Sequence, residues 1–358
     1  MASQPMSLPN LKDHAPEALR ERFRAAGIAP YRADQVAAWL YRRGVDDPRE
    51  MTDLGSALRE RLAAEWATRS LETASVQRSS DGTRKLALRA GDGAWIEAVL
   101  IPEERRNTLC VSTQVGCPLD CSFCATGVLG FTRNLTTAEI VDQVCRASEL
   151  LDPDESLSNV VFMGMGEPLL NLPNVSEAIR ILTHPRAFAM APRRITVSTA
   201  GLVPRIHDLL EVAPVNLAVS LHATTDAVRD ELVPLNRRFP LAVLLGALRD
   251  DPLVNRRRPV FFEYTLIAGV NDSLTDARRL PELLRGLPAK LNLIPMNPHP
   301  DTSASPPAGD VVDRFAAEVH RGGLRVTLRR DRGRDIDAAC GQLAARGLDP
   351  GAAGALPG

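Results

Sequence analysis

Three thiols fall within eight positions in the stretch Gly116-Cys117-Pro118-Leu119-Asp120-Cys121-Ser122-Phe123-Cys124, spaced Cys-x3-Cys-x2-Cys. A loop this tight can bring three sulfurs onto one face of a small inorganic centre and does not readily add a fourth. Thiolates are soft ligands that suit iron–sulfur clusters or zinc. On a cubane of four irons, three thiolates leave one iron open, and an open iron can hold a substrate. A structural zinc site normally has four protein ligands. Cys110, His222 or Cys340 would have to complete it, and spacing alone leaves that alternative open. Cys110 lies in an apolar run, the usual setting of an inert core thiol, and Cys145 falls at an apolar step of a predicted helix. Cys340 follows two alanines, where it could cap a helix. Glu97 sits between Ile96 and Ala98 in an alternating run, where a glutamate ordinarily faces solvent. His222 taken alone reads as a structural histidine before it reads as a ligand.

The elements that must position these groups follow from periodicity. Residues 1 to about 72 read as helical, with apolar residues at three- and four-residue steps in 19–26, 34–43 and 54–66. Val36, Trp39 and Leu40 share one helical face there. From residue 74 the period becomes two. Runs at 75–79, 85–89 and 94–101, separated by Ser80-Asp81-Gly82 and Gly91-Asp92-Gly93, predict a β-meander. Asn107 to Thr113 reads as a buried strand leading into the cysteine loop. A capping-box pattern, Thr136 with Glu139, opens the next helix. Strands predicted at 159–163, 194–199, 215–221, 260–266 and 290–295 then alternate with helices, and 324–328 should lie at an edge. Six strand–helix units imply an α/β fold, a partial (β/α)6 barrel with helices covering a parallel sheet. In such sheets function collects at the C-terminal ends of strands. The cysteine loop, Gly164-Met165-Gly166-Glu167-Pro168, Ser198, Ser220-Leu221-His222 and Asn297 all fall there. The expected division is a helical accessory domain at 1–72, a meander at 73–102, the core at 103–336 and a C-terminal segment at 337–358 with a disordered tail.

Bulk composition narrows the class. Hydrophobic residues make up 44% and charged residues 24% of 358, ordinary for a soluble globular chain. No apolar run is long enough to span a membrane, and the N-terminus lacks an apolar signal core, so a cytoplasmic protein is expected. Six cysteines in this length do not form a disulfide scaffold. A net charge of −1 neither favours nor excludes nucleic acid. Arginine clusters at 193–194, 237–238, 256–258 and 329–334 are more suggestive, although each alone is usually a solvated face. Aromatics are only 4%.

The cysteine spacing is that of the radical S-adenosylmethionine (SAM) enzymes, and Phe123 resembles the aromatic often found between their last two cysteines. With LCVSTQVGCPLDCSFCATG, VVFMGMGEPLLNL, NLAVSLHA, KLNLIPMNP and RGRDIDAACGQL in view, the chain resembles the dual-specificity RNA methyltransferase RlmN family from about Trp95 to Leu343. The resemblance implies that Cys117, Cys121 and Cys124 ligate a 4Fe–4S cluster whose open iron binds SAM. It implies a SAM pocket of Gly166, Glu167, Ser198, Ser220, Leu221, His222 and Asn297. It gives Cys340 as the cysteine methylated during catalysis, Cys110 as its resolving partner and Glu97 as a proton acceptor. Adenine C2 is electrophilic, so ordinary polar methyl transfer fails there. In the implied route one SAM methylates Cys340. A second SAM yields a radical that takes hydrogen from that methyl group, and the new carbon radical adds to the ring. Glu97 removes the ring proton, and Cys110 attacks the Cys340 sulfur to release methylated RNA. The implied substrates are an adenosine in the peptidyl-transferase region of 23S rRNA and the adenosine 3′ of the anticodon in tRNAs. With so few aromatics, recognition of that RNA would rest on arginine contacts and substrate shape. The helical domain and the clusters around Arg193 and Arg332 are expected to face RNA. A flavodoxin- or ferredoxin-type donor would supply electrons to what is expected to be a monomer. A Cfr-type enzyme would methylate C8 of the same rRNA adenosine. A non-catalytic zinc-containing RNA-binding protein is the reading from another class.

Overall fold

The computed structural model describes residues 8–104, 106–329 and 332–345. The chain begins with three helices, α1 (Pro16–Ala25), α2 (Arg32–Arg42) and α3 (Ser56–Glu65). Pro16 at the first position of α1 suits a site where no amide partner is needed. Val36, Trp39 and Leu40 are buried together, as their spacing predicts. Phe23 packs edge-on against Trp66, with ring centroids 6.1 Å apart.

Strands β1 (Leu71–Arg78), β2 (Arg84–Ala90) and β3 (Trp95–Glu103) form the antiparallel meander. β3 pairs antiparallel with β4 (Arg106–Cys110), so the meander continues directly into the main sheet. The strand predicted through Thr113 ends at Cys110. Beyond it Ser112 leaves the ladder, donating its N–H to Gln143 Oε1 at 2.7 Å while its carbonyl accepts from Gln143 Nε2 at 2.9 Å. A short hairpin, β5 (Gln114–Gly116) with β6 (Phe131–Asn134), brackets the cysteine loop and a single-turn helix α4 (Ala125–Val128). α5 (Thr137–Ser148) opens with both halves of the expected capping box: Glu139 N–H donates to Thr136 Oγ1 and Thr136 N–H to Glu139 Oε2.

Strand and helix then alternate: β7 (Leu157–Phe162), α6 (Leu172–Thr183), β8 (Ile195–Thr199), α7 (Ile206–Val212) and β9 (Asn216–Ser220). They continue as α8 (Asp226–Leu232), α9 (Leu241–Asp250), β10 (Val260–Leu266), α10 (Leu274–Leu283), β11 (Ala289–Pro295), α11 (Gly309–Arg321) and β12 (Val326–Leu328). The sheet order is β1-β2-β3-β4-β7-β8-β9-β10-β11-β12, parallel from β4 onward. β12 takes the predicted edge, and no closure between β12 and β1 exists among the described residues. The architecture is therefore an open, partial barrel with a helical N-terminal region.

The helical region is fastened to the core by a buried charge cluster. Lys12 Nζ lies 2.7 Å from both Asp46 Oδ1 and Asp142 Oδ1, and Arg146 reaches Asp46. Asp142 Oδ2 also accepts from the N–H groups of Ser70 and Leu71. Residues 346–358, where the tail is expected to be disordered, lie outside the described residues.

Candidate active site

The C-terminal ends of the parallel strands open into a cleft of about 160 Å³. The cysteine loop forms one wall. Gly116 enters it with φ +75°, and a Cβ there would lie 1.8 Å from the carbonyl oxygen of Gly130, so no larger residue fits. Cys117 N–H donates to that same oxygen at 2.8 Å, tying the loop to the β5–β6 hairpin. Cys117, Cys121 and Cys124 are half-buried free thiols that line the cleft together. Burial pushes Cys117 up to about 12 and Cys121 well above its ordinary value, with the neighbouring thiols and Glu167 adding to the rise. A metal centre must displace these protons. Among the described residues no group of three or more His, Cys, Asp or Glu is placed to hold a metal ion.

The opposite wall comes from β7 to β11. Gly166 adopts φ +99°, and the Gln114 side chain sits 2.6 Å from where its Cβ would be. Gln114 Oε1 accepts from the Glu167 N–H at 2.9 Å. The buried Glu167 carboxylate accepts from Leu169 N–H at 3.0 Å and Ala200 N–H at 2.7 Å. Burial nevertheless pushes it up to about 7. Ser198 and Ser220 line the cleft at the ends of β8 and β9. His222, at φ +56°, accepts from Thr265 N–H at 3.0 Å through Nδ1, which leaves the hydrogen on Nε2. Its ring packs edge-on against Phe123 at 4.6 Å. Leu221 does not line the cleft: its side chain is fully buried in the core, and only its backbone serves the site, donating to Glu263 O at 2.9 Å. Asn297 Nδ2 donates to Cys340 O at 3.2 Å, while its buried Oδ1 has no hydrogen-bond partner.

Cys340 lies on an exposed turn at the edge of this cleft and also lines a smaller cavity that it shares with Cys110. Burial pushes Cys110 up to about 12, and Cys340 adds to the rise. Residues 338–345, which carry Cys340, are pinned at several points. Ala125 N–H donates to Gly341 O at 2.7 Å and Thr126 Oγ1 to Leu343 O at 2.6 Å. Gln342 Nε2 donates to Pro298 O at 2.8 Å.

Glu97 departs from the solvent-facing expectation. It is 4% exposed, and its Oε2 accepts from the N–H groups of Ala344 at 2.9 Å and Ala345 at 3.0 Å. Oε1 lies 3.2 Å from Lys85 Nζ. It lines a third cavity, on the meander side of residues 338–345, and not the cleft of the three cysteines.

The family model for the ribosomal RNA large subunit methyltransferase N-terminal domain matches residues 9–67, and the radical SAM superfamily model matches residues 111–274. A dual-specificity RNA methyltransferase RlmN of Geobacter sulfurreducens is 50% identical over 337 residues, covering 93% of this chain and 92% of that protein. The chain belongs to the RlmN family. The RlmN of Anaeromyxobacter dehalogenans is 48% identical over 95% of this chain and 92% of its own. A crystal structure of a radical SAM methyltransferase from Sphaerobacter thermophilus superposes with a TM-score of 0.89 at 44% identity, covering 94% of this chain and 99% of that one. RlmN membership brings a 4Fe–4S cluster and SAM as cofactors. The residues present fit them: three soft donors on one loop, a cleft beside them, and an unpartnered buried acceptor on Asn297.

Several residues that shape this RlmN site escaped the sequence. Arg229 on α8 is buried and donates to Leu221 O at 3.0 Å, Ala200 O at 2.7 Å, Ser220 O at 2.8 Å and Asn236 Oδ1 at 2.8 Å, locking the ends of β8 and β9 together. Between Asp226 and Asp230 it reads as an ordinary exposed helix charge. Glu263 lines the cleft from β10, its Oε1 accepting from Asn292 Nδ2 at 2.9 Å. Arg329, expected among RNA-facing arginines, instead lines the cleft 4.0 Å from Glu263 Oε2. Arg193 and Arg194 precede β8, at the end of the sheet remote from the cleft, so their position does not favour the expected RNA contact.

Proposed function

We propose that this chain methylates C2 of an adenosine in the peptidyl-transferase region of 23S rRNA and of the adenosine 3′ of the anticodon in tRNAs. The observation that carries the reading is the placement of Cys340. It lines both the cleft of the three-cysteine loop and the small cavity that holds Cys110. A thiol that must be methylated on one side and meet a second thiol on the other needs that position.

Cys117, Cys121 and Cys124 would hold the cluster. Gly166, Glu167, Ser198, Ser220, His222, Asn297 and the backbone of Leu221 would bind SAM. Together the cluster and SAM supply a methyl donor and a one-electron route to hydrogen abstraction. Cys340 takes the methyl group on its sulfur, and Glu97 accepts the ring proton. Cys110 attacks the Cys340 sulfur, forming a disulfide as the bond from that sulfur to the methylene carbon breaks; the electron pair goes to the carbon, which takes a proton to become the methyl group of the departing RNA. Burial pushes the Cys110 thiol up to about 12, so a proton must leave it before it can attack.

The division into a helical domain at 1–72, a meander at 73–102, a core at 103–336 and a C-terminal segment at 337–358 is retained in this reading. The helical domain and Arg332 are assigned to the RNA-facing side. Among the described residues no helix is long and apolar enough to cross a membrane. We place the enzyme in the cytosol, as a monomer served by a soluble flavodoxin- or ferredoxin-type donor.

The test is anaerobic turnover of the reconstituted protein on rRNA and tRNA fragments, with nucleosides resolved by mass spectrometry against 2-methyl- and 8-methyladenosine. The C2 isomer is expected, and the C8 isomer would move the chain to the Cfr-type activity. Cys340→Ala should be inactive, and Cys110→Ala should accumulate a covalent protein–RNA adduct. A methylating Cys340→Ala enzyme would overturn the covalent route.

A further inference from the structure

Lys85 is a charged group on the meander that the reaction as described does not use. It faces the same side of the sheet as Glu97: in the β2–β3 register Lys85 pairs with Val99 and Ala87 with Glu97, two positions along. Its side chain is 11% exposed, and Nζ lies 3.2 Å from Glu97 Oε1 while donating to Asp337 O at 3.4 Å. Arg78, His299, Asp335 and Asp337 border the same cavity. Of the two cations there, Lys85 is the one in contact with the Glu97 carboxylate.

The two oxygens of Glu97 have partners of different kinds. Oε2 is held by the N–H groups of Ala344 and Ala345, on the segment that carries Cys340. Oε1 is held by Lys85, which is paired with Gln77 on one side and Val99 on the other in the sheet. A carboxylate that receives a proton from the ring of a bound base must present a free oxygen to it. Oε2 becomes free only when residues 344–345 draw away, and Lys85 is then the contact that remains. Without it the carboxylate would be released to several rotamers, and a general base works only within hydrogen-bond reach of its proton.

We propose that Lys85 is the positioning residue of the proton acceptor, holding Glu97 against the meander wall while residues 344–345 are displaced and the target adenine approaches. This rests on the role given to Glu97 above. In the step concerned, the C2 proton of the RNA–Cys340 adduct passes to a carboxylate oxygen of Glu97. The C–H electron pair stays in the ring, and the single unpaired electron that radical addition left there would return to the oxidised cluster, so the step needs no outside oxidant.

The experiment is anaerobic single turnover of the full-length holoenzyme with an rRNA fragment. Cys340 methylation is followed by peptide mass spectrometry, and the protein–RNA adduct by denaturing gel. In Lys85→Met, Cys340 should be methylated as in wild type while adduct resolution slows about tenfold or more, the scale of losing one charge-assisted contact. Lys85→Arg should recover most of the rate. Adding Lys85→Met to Glu97→Gln should slow resolution no further, because Lys85 acts through Glu97. Lys85→Gln makes the same comparison should the methionine variant lose its cluster. If Glu97→Gln accumulates adduct but Lys85→Met and Lys85→Gln resolve it at the wild-type rate, the proposal is wrong and the role of Glu97 stands. If Lys85→Met slows resolution equally with Glu97 present or replaced, Lys85 does not act through Glu97. A Glu97→Gln enzyme that resolves its adduct normally overturns the role of Glu97 and this proposal with it.

Discussion

His222 gives the clearest case of a single side chain set by its surroundings. Burial, with Arg229 nearby, pulls its imidazole from 6.5 down to about 3. Between those values the unfolded chain takes up a proton that the folded chain does not, so this contribution to stability is present above about pH 6.5 and is lost as pH falls. One such group changes stability by about 1.4 kcal/mol per pH unit across that window. Glu167, raised to about 7, contributes with the opposite sign over the same range, so the test is a difference. In urea unfolding of the cluster-free protein at pH 6.5 and 5.5, the stability change of His222→Asn, compatible with the positive φ, should differ from that of wild type by about 1 kcal/mol. An unchanged slope would remove the assignment. At this scale the cysteine loop was legible because its ligands are neighbours in the chain. Glu97 and Arg329 were not, because what surrounds them comes from far along the sequence: Ala344 and Ala345 lie more than two hundred residues from Glu97, and Glu263 lies more than sixty from Arg329.

Secondary elements set the site through close packing between short pieces. The β5–β6 hairpin has strands of three and four residues, too short for any period to register in the sequence, yet it frames the three thiols. Gly116→Ala would drive a methyl group onto the Gly130 carbonyl at a positive φ. We expect this variant to keep its far-ultraviolet circular dichroism and to take up much less iron on anaerobic reconstitution. Arg229→Met would leave buried carbonyls at Ala200, Ser220 and Leu221 without their donor, at about 1–3 kcal/mol for each unsatisfied group. It should therefore lose at least about 2 kcal/mol in denaturant unfolding and weaken SAM binding measured by calorimetry. The parallel strands were readable as short apolar-rich runs recurring between helical stretches, and that repeated pattern implied a parallel sheet. Strand ends were less so: β4 stops at Cys110 because Gln143 captures the Ser112 backbone.

Across the whole molecule, a buried ion cluster joins the helical region to the core. Burial opposes the charge of Lys12, but the neighbouring Cys145, Asp142 and Asp46 raise its pKa, so it stays protonated at neutral pH. Lys12→Met leaves Asp142 buried with its backbone donors and without its nearest cation. The expected cost is about 3–5 kcal/mol in denaturant unfolding, with faster proteolytic release of the helical region. A change within about 0.5 kcal/mol would mean the two parts are held by apolar packing alone. Nothing in the sequence marked Lys12, since its partners lie 34 and 130 positions away. The segment from Ala338 to Ala345 borders the cysteine cleft, the Cys110 hollow and the Glu97 hollow at once. It is a party wall between three rooms, and lifting it would merge them into a single chamber in which thiol, thiol and carboxylate could all address one nucleotide.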